Sequence, residues 1–180
     1  LRRSDPPRIR SNERAASRGP FRFRRPCPIC DNPAVPRIFL ARIPVADADI
    51  DVNEHVNNLA YLRWMQDAAT AHSAARGWTL EAYRALGAGW FVRSHSIEYH
   101  LPAHAGDVLL LRTWVGEMKS SSCVRRFLFL REGDPRPVAT ARTRWAFVDF
   151  ASGRPARIPP GVASAFAVVP DDDPELESAL

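Results

Sequence analysis

Lysine is nearly absent from this chain: Lys119 is the single Lys among 25 basic residues. With Ala and Pro abundant throughout, that imbalance reads as the coding bias of a GC-rich genome, so the Arg count is weak evidence for phosphate binding. Cysteine is scarce too, and three thiols fit a reducing compartment rather than a disulfide framework. Cys27-Pro-Ile-Cys30 has the spacing of half a zinc site, but no second Cys or His pair at ligand spacing follows, and no metal is expected. No apolar run reaches the roughly 18 residues that suggest a membrane helix. Residues 1 to 26 hold no apolar block of the secretory kind. The expectation is a cytoplasmic protein without a membrane span.

Acidic residues are sparse at one end only. Residues 1 to 42 carry eleven Arg against Asp5, Glu13 and Asp31, whereas residues 43 to 180 carry fourteen basic and seventeen acidic groups. The net charge of +5 therefore belongs to an arm and not to the body, and nucleic acid is not an expected partner.

What is present suits one domain, since 180 residues at 46% hydrophobic content can bury a single core. Residues 1–36, rich in Arg, Pro and Ser and without apolar period, are expected to be disordered. The folded domain is expected over 37–168, with 169–180 a solvated acidic tail around Asp171-Asp-Asp-Pro-Glu-Leu-Glu177. Inside the domain a strand at 37–45 precedes a long helix at 59–76, where Leu62, Met65, Ala69 and His72 recur at helical spacing. Six alanines, Ala60, Ala68, Ala69, Ala71, Ala74 and Ala75, would let a sheet approach that helix closely. Asn57 or Asn58 can cap its start and Gly77 its end. A short helix at 79–86 follows, then strands at 90–101, 108–118, 123–131 and 138–150, joined by turns, and a helical piece at 162–166. Cys123 reads as a small core residue. The pattern predicts an α+β fold, an antiparallel sheet wrapped on one long helix.

The chemistry concentrates between strand and helix, where Asp47, Asp49, Asp51, Asn53, Glu54, His55, Asn57 and Asn58 crowd one loop. If extended geometry persists, Asp49, Asp51, Asn53 and His55 share one face. The first turn of the next helix offers unpaired N–H groups to a carbonyl oxygen gaining negative charge. A carboxylate beside such donors suits attack on an acyl group, as nucleophile or as the base that activates water. A solvated loop with helix-capping asparagines is the plainer reading of the same residues.

The motif Asp49-Ile-Asp51-Val-Asn53-Glu-His55-Val-Asn57-Asn58-Leu-Ala-Tyr61-Leu-Arg-Trp64 resembles the acyl-thioesterase branch of the hotdog fold, both acyl-ACP thioesterases and bacterial 4-hydroxybenzoyl-CoA-thioesterase-like proteins. Ile97-Glu-Tyr-His-Leu-Pro102 and Arg144-Trp-Ala-Phe-Val-Asp149 agree with it, and the resemblance spans about 37–166. It implies a hotdog, with the long helix inside the sheet, assembled as a homodimer or a dimer of dimers with active sites near the interface. It implies hydrolysis of acyl-CoA or acyl-ACP without a cofactor. By similarity Asp51 is the catalytic carboxylate, Asn53 and His55 assist it, and the backbone N–H near Asn58 is the oxyanion donor. Plant acyl-ACP enzymes carry a Glu where Pro102 stands here, which favours an Asp51-centred mechanism.

Trp64 and Trp90, with Phe91 and Trp145, are candidates to line an acyl channel. Ser121 and Arg125, within the turn Ser120–Ser122 and the strand after it, are candidates to meet the carrier's phosphates. Two other readings of the motif are an enoyl-thioester hydratase, since Asp51-Val-Asn53-Glu-His55 falls one residue short of the D-x-N-x-x-H of those enzymes, and a non-catalytic protein that binds acyl thioesters.

Overall fold

The computed structural model describes residues 36–177. The expected disordered arm, apart from its last residue, and the Cys27/Cys30 pair lie outside them.

Five antiparallel strands form one sheet in the order β1-β3-β4-β5-β2. They run β1 Phe39–Pro44, β2 Ala88–Tyr99, β3 Val108–Met118, β4 Ser122–Arg131 and β5 Asp134–Asp149. Helix α1, Asn58–Ala75, lies across the inner face, and α2, Leu80–Leu86, follows it. This is the expected hotdog. The start of α1 is capped as its sequence predicts: Asn57 Oδ1 accepts from Leu59 N at 2.9 Å. Gly77, at φ 83°, releases the chain beyond its other end.

The buried face of α1 is Ala60, Tyr61, Trp64, Met65, Ala68, Ala69 and His72. It packs on Leu109 and Leu111 of β3, Phe127 and Phe129 of β4 and Ala139 of β5. Each fully buried side chain of this size contributes roughly 1.5–3 kcal/mol of transfer free energy, so this layer dominates the core. The expected face is corrected by part of a turn. Leu62 is only half-buried, and Ala71, Ala74 and Ala75 face outward, because Trp64 and Tyr61 take the inner positions.

The C-terminal segment departs from the expectation of a solvated tail. Val169 is fully buried with Ile38 and Trp114, and its N–H donates to Val115 O at 2.9 Å. Arg37 pairs with Asp173 and Glu175 at 3.0 and 2.5 Å, Arg126 with Asp171 at 2.6 Å, and Arg112 donates to the carbonyls of Glu175 and Leu176 at 3.1 Å. Asp171, Asp173 and Glu175 are the counter-charges of Arg126 and Arg37, so the domain runs on past residue 168. Short helices α3, Pro160–Ala163, and α4, Pro174–Glu177, belong to this return over the sheet.

Candidate active site

The Asp/Asn loop does not stay extended. A 3-10 turn at Asp47–Asp49 and a tight turn at residues 51–54 fold it up. Glu54 N donates to Asp51 O at 3.0 Å, Asp51 N to His55 O at 2.8 Å, and Glu54 sits at φ 63°. Asp49, Asp51, Asn53 and His55 therefore do not share one face as alternation would require.

The two central acids have different work. Asp49 is 8% exposed; one carboxylate oxygen accepts from Ala46 N at 3.1 Å and the other meets Arg63 of α1. Its carbonyl accepts from Asn57 N at 2.8 Å, so Asp49 ties the loop to the helix start. Asp49→Ala is expected to lower stability by about 1–3 kcal/mol, nearer the lower figure because Arg63 is more than half exposed. Urea unfolding checks this, and turnover should fall with it as the loop loosens.

Asp51 is half-buried and makes no ion pair among the described residues. Its Oδ1 accepts from Asn53 N at 2.8 Å, which aims the carboxylate and leaves Oδ2 without a partner among them. The Asn58 N–H, first in α1, likewise faces no acceptor among the described residues. Asn53, His55 and Asn58 are exposed.

His104 is a member of the loop cluster that the linear sequence did not reveal. It sits in the β2–β3 turn, where its Nδ1 donates to Glu54 O at 3.0 Å and its ring meets His55 edge-on with centroids 5.1 Å apart. The Glu54 carbonyl keeps the proton on Nδ1, leaving Nε2 as the basic nitrogen. Only tertiary pairing, through Val56 N on Ala103 O at 2.8 Å, brings residue 104 here.

The expected binding residues separate. Trp64, 7% exposed, is core, packed on Tyr61 and Phe129. Trp90 does line a cavity of about 280 Å³, together with Trp78, Tyr83, Trp145 and Phe166. Trp90 Nε1 donates to the Tyr83 hydroxyl at 3.0 Å, which itself meets Ser73 Oγ at 3.0 Å. Cys123 is buried on the same wall, and burial pushes its thiol up to about 12.

Arg125 is the main correction. The sequence makes it a candidate for the carrier's phosphates, yet it is 6% exposed in the wall of this cavity. Its Nη1 donates to His72 Nδ1 at 3.0 Å and to Thr113 Oγ1 at 3.4 Å. Burial lowers Arg125 to about 10 and, with help from the Arg125 charge, holds His72 neutral at about 3. Strand alternation put Arg125 on the inner face with Phe127 and Phe129; its charge alone suggested otherwise. Ser121 gives its carbonyl to Phe147 N at 2.8 Å, continuing the ladder.

A second, polar cavity of about 480 Å³ opens on the outer face between Ser94, Ser96, Lys119, Arg126, Arg142 and Arg144. Arg126 and Arg142 stand side by side in the β4–β5 register. Gly116 makes room for Arg126, whose Nε would lie 3.1 Å from a Cβ added there.

This fold, with an acid loop leading into a long inner helix, agrees with what comparison shows. The sequence profile described as the thioesterase-like superfamily matches residues 45–166. The chain belongs to that superfamily. Thioester hydrolysis is accordingly the general chemistry of this enzyme. Among solved structures, a hypothetical protein from Thermus thermophilus is 26% identical with TM-score 0.65, the match covering 71% of this chain and 96% of that one. A 1,4-dihydroxy-2-naphthoyl-CoA thioesterase from Synechocystis is 19% identical with TM-score 0.66, covering 71% and 94%. A Staphylococcus aureus protein in complex with CoA is 16% identical with TM-score 0.68, covering 74% and 84%. No curated protein sequence matches the chain closely enough to count as a relative. Within the described residues no helix is long and apolar enough to cross a membrane, and no group of three or more His, Cys, Asp or Glu is placed to hold a metal ion.

Proposed function

We propose that this thioesterase hydrolyses an acyl group from a phosphorylated carrier, coenzyme A or an acyl carrier protein, at sites shared between two copies of the chain. The observation that carries the reading is the free Oδ2 of Asp51 on the loop that opens into the unpaired N–H of Asn58. The thioester carbonyl accepts from the Asn58 N–H and Asp51 attacks it or activates water beside it. The C–S bond breaks, releasing acid and thiol. An oxyanion donor of this kind is worth roughly 3–4 kcal/mol in the transition state. Asn53 aims Asp51 through its backbone N–H, and His55 with His104 flanks the loop as a proton carrier for the leaving thiolate.

Sharing follows from distance. Ala69, Thr70 and Ser73 of the apolar cavity lie eleven to fifteen residues along α1 from Asn58, roughly 16–22 Å at helical rise. That is a long reach for one acyl group within one chain. The loop sits beside the end of β2, where Tyr61 meets Tyr99 with centroids 5.2 Å apart, and the cavity sits beside its beginning, at Gly89, Trp90 and Phe91. β2 is a twelve-residue edge strand, with Phe91 52% exposed, and a long bare edge is a template for pairing. Antiparallel pairing of two β2 strands sets each loop against the other copy's cavity, in an isologous dimer.

Release of free thiol from a panel of acyl-CoAs by the purified protein tests the activity; absence of release across the panel refutes it. The basic outer groove adds a measurable consequence, because Arg142, Arg144 and Lys119 attract an anionic carrier. Replacing Arg142 and Arg144 together by Ala is expected to raise KM for acyl-CoA about tenfold with kcat little changed, and the difference should shrink as salt is added.

A further inference from the structure

Arg125 is a buried cation without a counter-ion. No carboxylate pairs with it among the described residues, and its two hydrogen bonds, to His72 and Thr113, are made by Nη1 alone. Nε and Nη2 have no acceptor among those residues. A guanidinium stays charged in protein, and the Phe166 ring, its centroid 5.9 Å from Arg125 Cζ, offsets only part of the cost of burying it without an anion. His72 cannot relieve the charge, since a neutral imidazole offers one lone pair and Arg125 already uses it.

The surroundings repeat the imbalance. The Trp145 indole N–H is buried with no acceptor among the described residues, and Trp145 lines the same cavity. The hydroxyls of Ser73 and Tyr83 are engaged with each other and with Trp78 O and Trp90 Nε1. Apart from Thr70, whose hydroxyl donates to Gln66 O, and the Cys123 thiol, the rest of the wall is rings and aliphatic groups, Trp78, Trp90, Phe91, Phe150 and Phe166 among them. Gly89 permits this closeness, because a Cβ there would stand 2.8 Å from Phe150 Cζ. The cavity thus sets one positive charge and an indole N–H in a mainly apolar wall. At about 280 Å³ it exceeds the roughly 150 Å³ that accommodates benzene, leaving room for a ring or short chain with one charged substituent.

We propose that this cavity receives an acyl group ending in a carboxylate, with Arg125 as the counter-ion that selects it over the uncharged analogue. The proposal rests on the reading of the cavity as the acyl site. The thioester end of such a substrate points to the β2 edge and the catalytic loop, and the distal carboxylate accepts from Arg125 Nε and Nη2. The acyl chain displaces no ion pair on entry, because Arg125 makes none among the described residues.

Two pairs of probes test it: 4-carboxybenzoyl-CoA against benzoyl-CoA, and adipyl-CoA against hexanoyl-CoA, with free terephthalate and adipate as ligands that require no turnover. Trp78, Trp90 and Trp145 line the cavity, so tryptophan fluorescence reports the free acids. For the wild-type chain the charged member of at least one thioester pair is expected to have kcat/KM about tenfold or more above its partner, and terephthalate to bind more tightly than it does to chains with Arg125 replaced. In Arg125→Met and in Arg125→Gln the ratio should fall about tenfold or more, carried by KM. Each variant gives up the bonds to His72 and Thr113 along with a buried charge, so its melting temperature without ligand serves as its own baseline, and terephthalate is expected to raise the melting temperature of wild type alone. A charge preference missing from both pairs in wild type, or kept by both variants, overturns the proposal. If no thioester is cleaved but terephthalate binding still depends on Arg125, hydrolysis is refuted and the anion site stands. Cleavage with no charge preference refutes the anion site and leaves hydrolysis standing.

Discussion

Asp51→Asn is expected to lower kcat for thiol release by about a thousandfold or more while leaving the melting curve near that of wild type. The substitution is isosteric: the side-chain oxygen still accepts from Asn53 N, so the turn at 51–54 persists. What disappears is the charge on the oxygen that has no partner. An amide neither takes a proton from water nor attacks a thioester. Because Asp51 is half-buried and makes no ion pair among the described residues, little stability goes with it. This separates it from Asp49, whose loss is felt first in folding. An Asp51→Asn chain that turns over at close to the wild-type rate removes Asp51 from the mechanism and leaves the fold assignment untouched.

Mixing two inactive chains should restore activity. If Asp51 of one copy serves the cavity of the other, an Asp51→Asn chain still contributes a sound cavity, and a chain whose cavity is blocked still contributes a sound acid. Thr70→Trp is a suitable block, since Thr70 is exposed on α1 yet lines the cavity, and a large side chain there fills the space without crowding the core. Each variant alone is expected to fall to a few per cent of wild type or less. Refolded together at equal amounts, half the dimers are mixed and each of those keeps one intact site, so about a quarter of wild-type activity should return. No recovery, with a dimer confirmed by light scattering, means that acid and cavity work within one chain. A monomeric mass removes the shared site altogether.

Much of the architecture was legible in the sequence because periodicity is a local signal. The helix at 58–75 and the strand at 108–118 are found where apolar spacing put them, since a buried face must recur at the period of its own element. The thioesterase-like motif was legible for another reason: loop and helix cap are contiguous, so residues 49 to 64 carry acid, amides and helix start in one stretch. Corrections fall where a residue's neighbours are distant in the chain. Arg37, Arg112 and Arg126 convert an acidic tail into a docked one. His104 reaches the loop across fifty positions.

By itself, then, the amino-acid order determined the α+β pattern, the family and the position of the acid loop, all of which are written in spacings of two to four residues or in one unbroken motif. Tertiary structure alone decided which carboxylate is tied up and which keeps an oxygen without a partner among the described residues, and it moved Arg125 from a candidate phosphate contact into the wall of an aromatic cavity. A side chain's protonation, pairing and access are set by what lies across the sheet from it, and that neighbour is chosen only when the strands close over the helix.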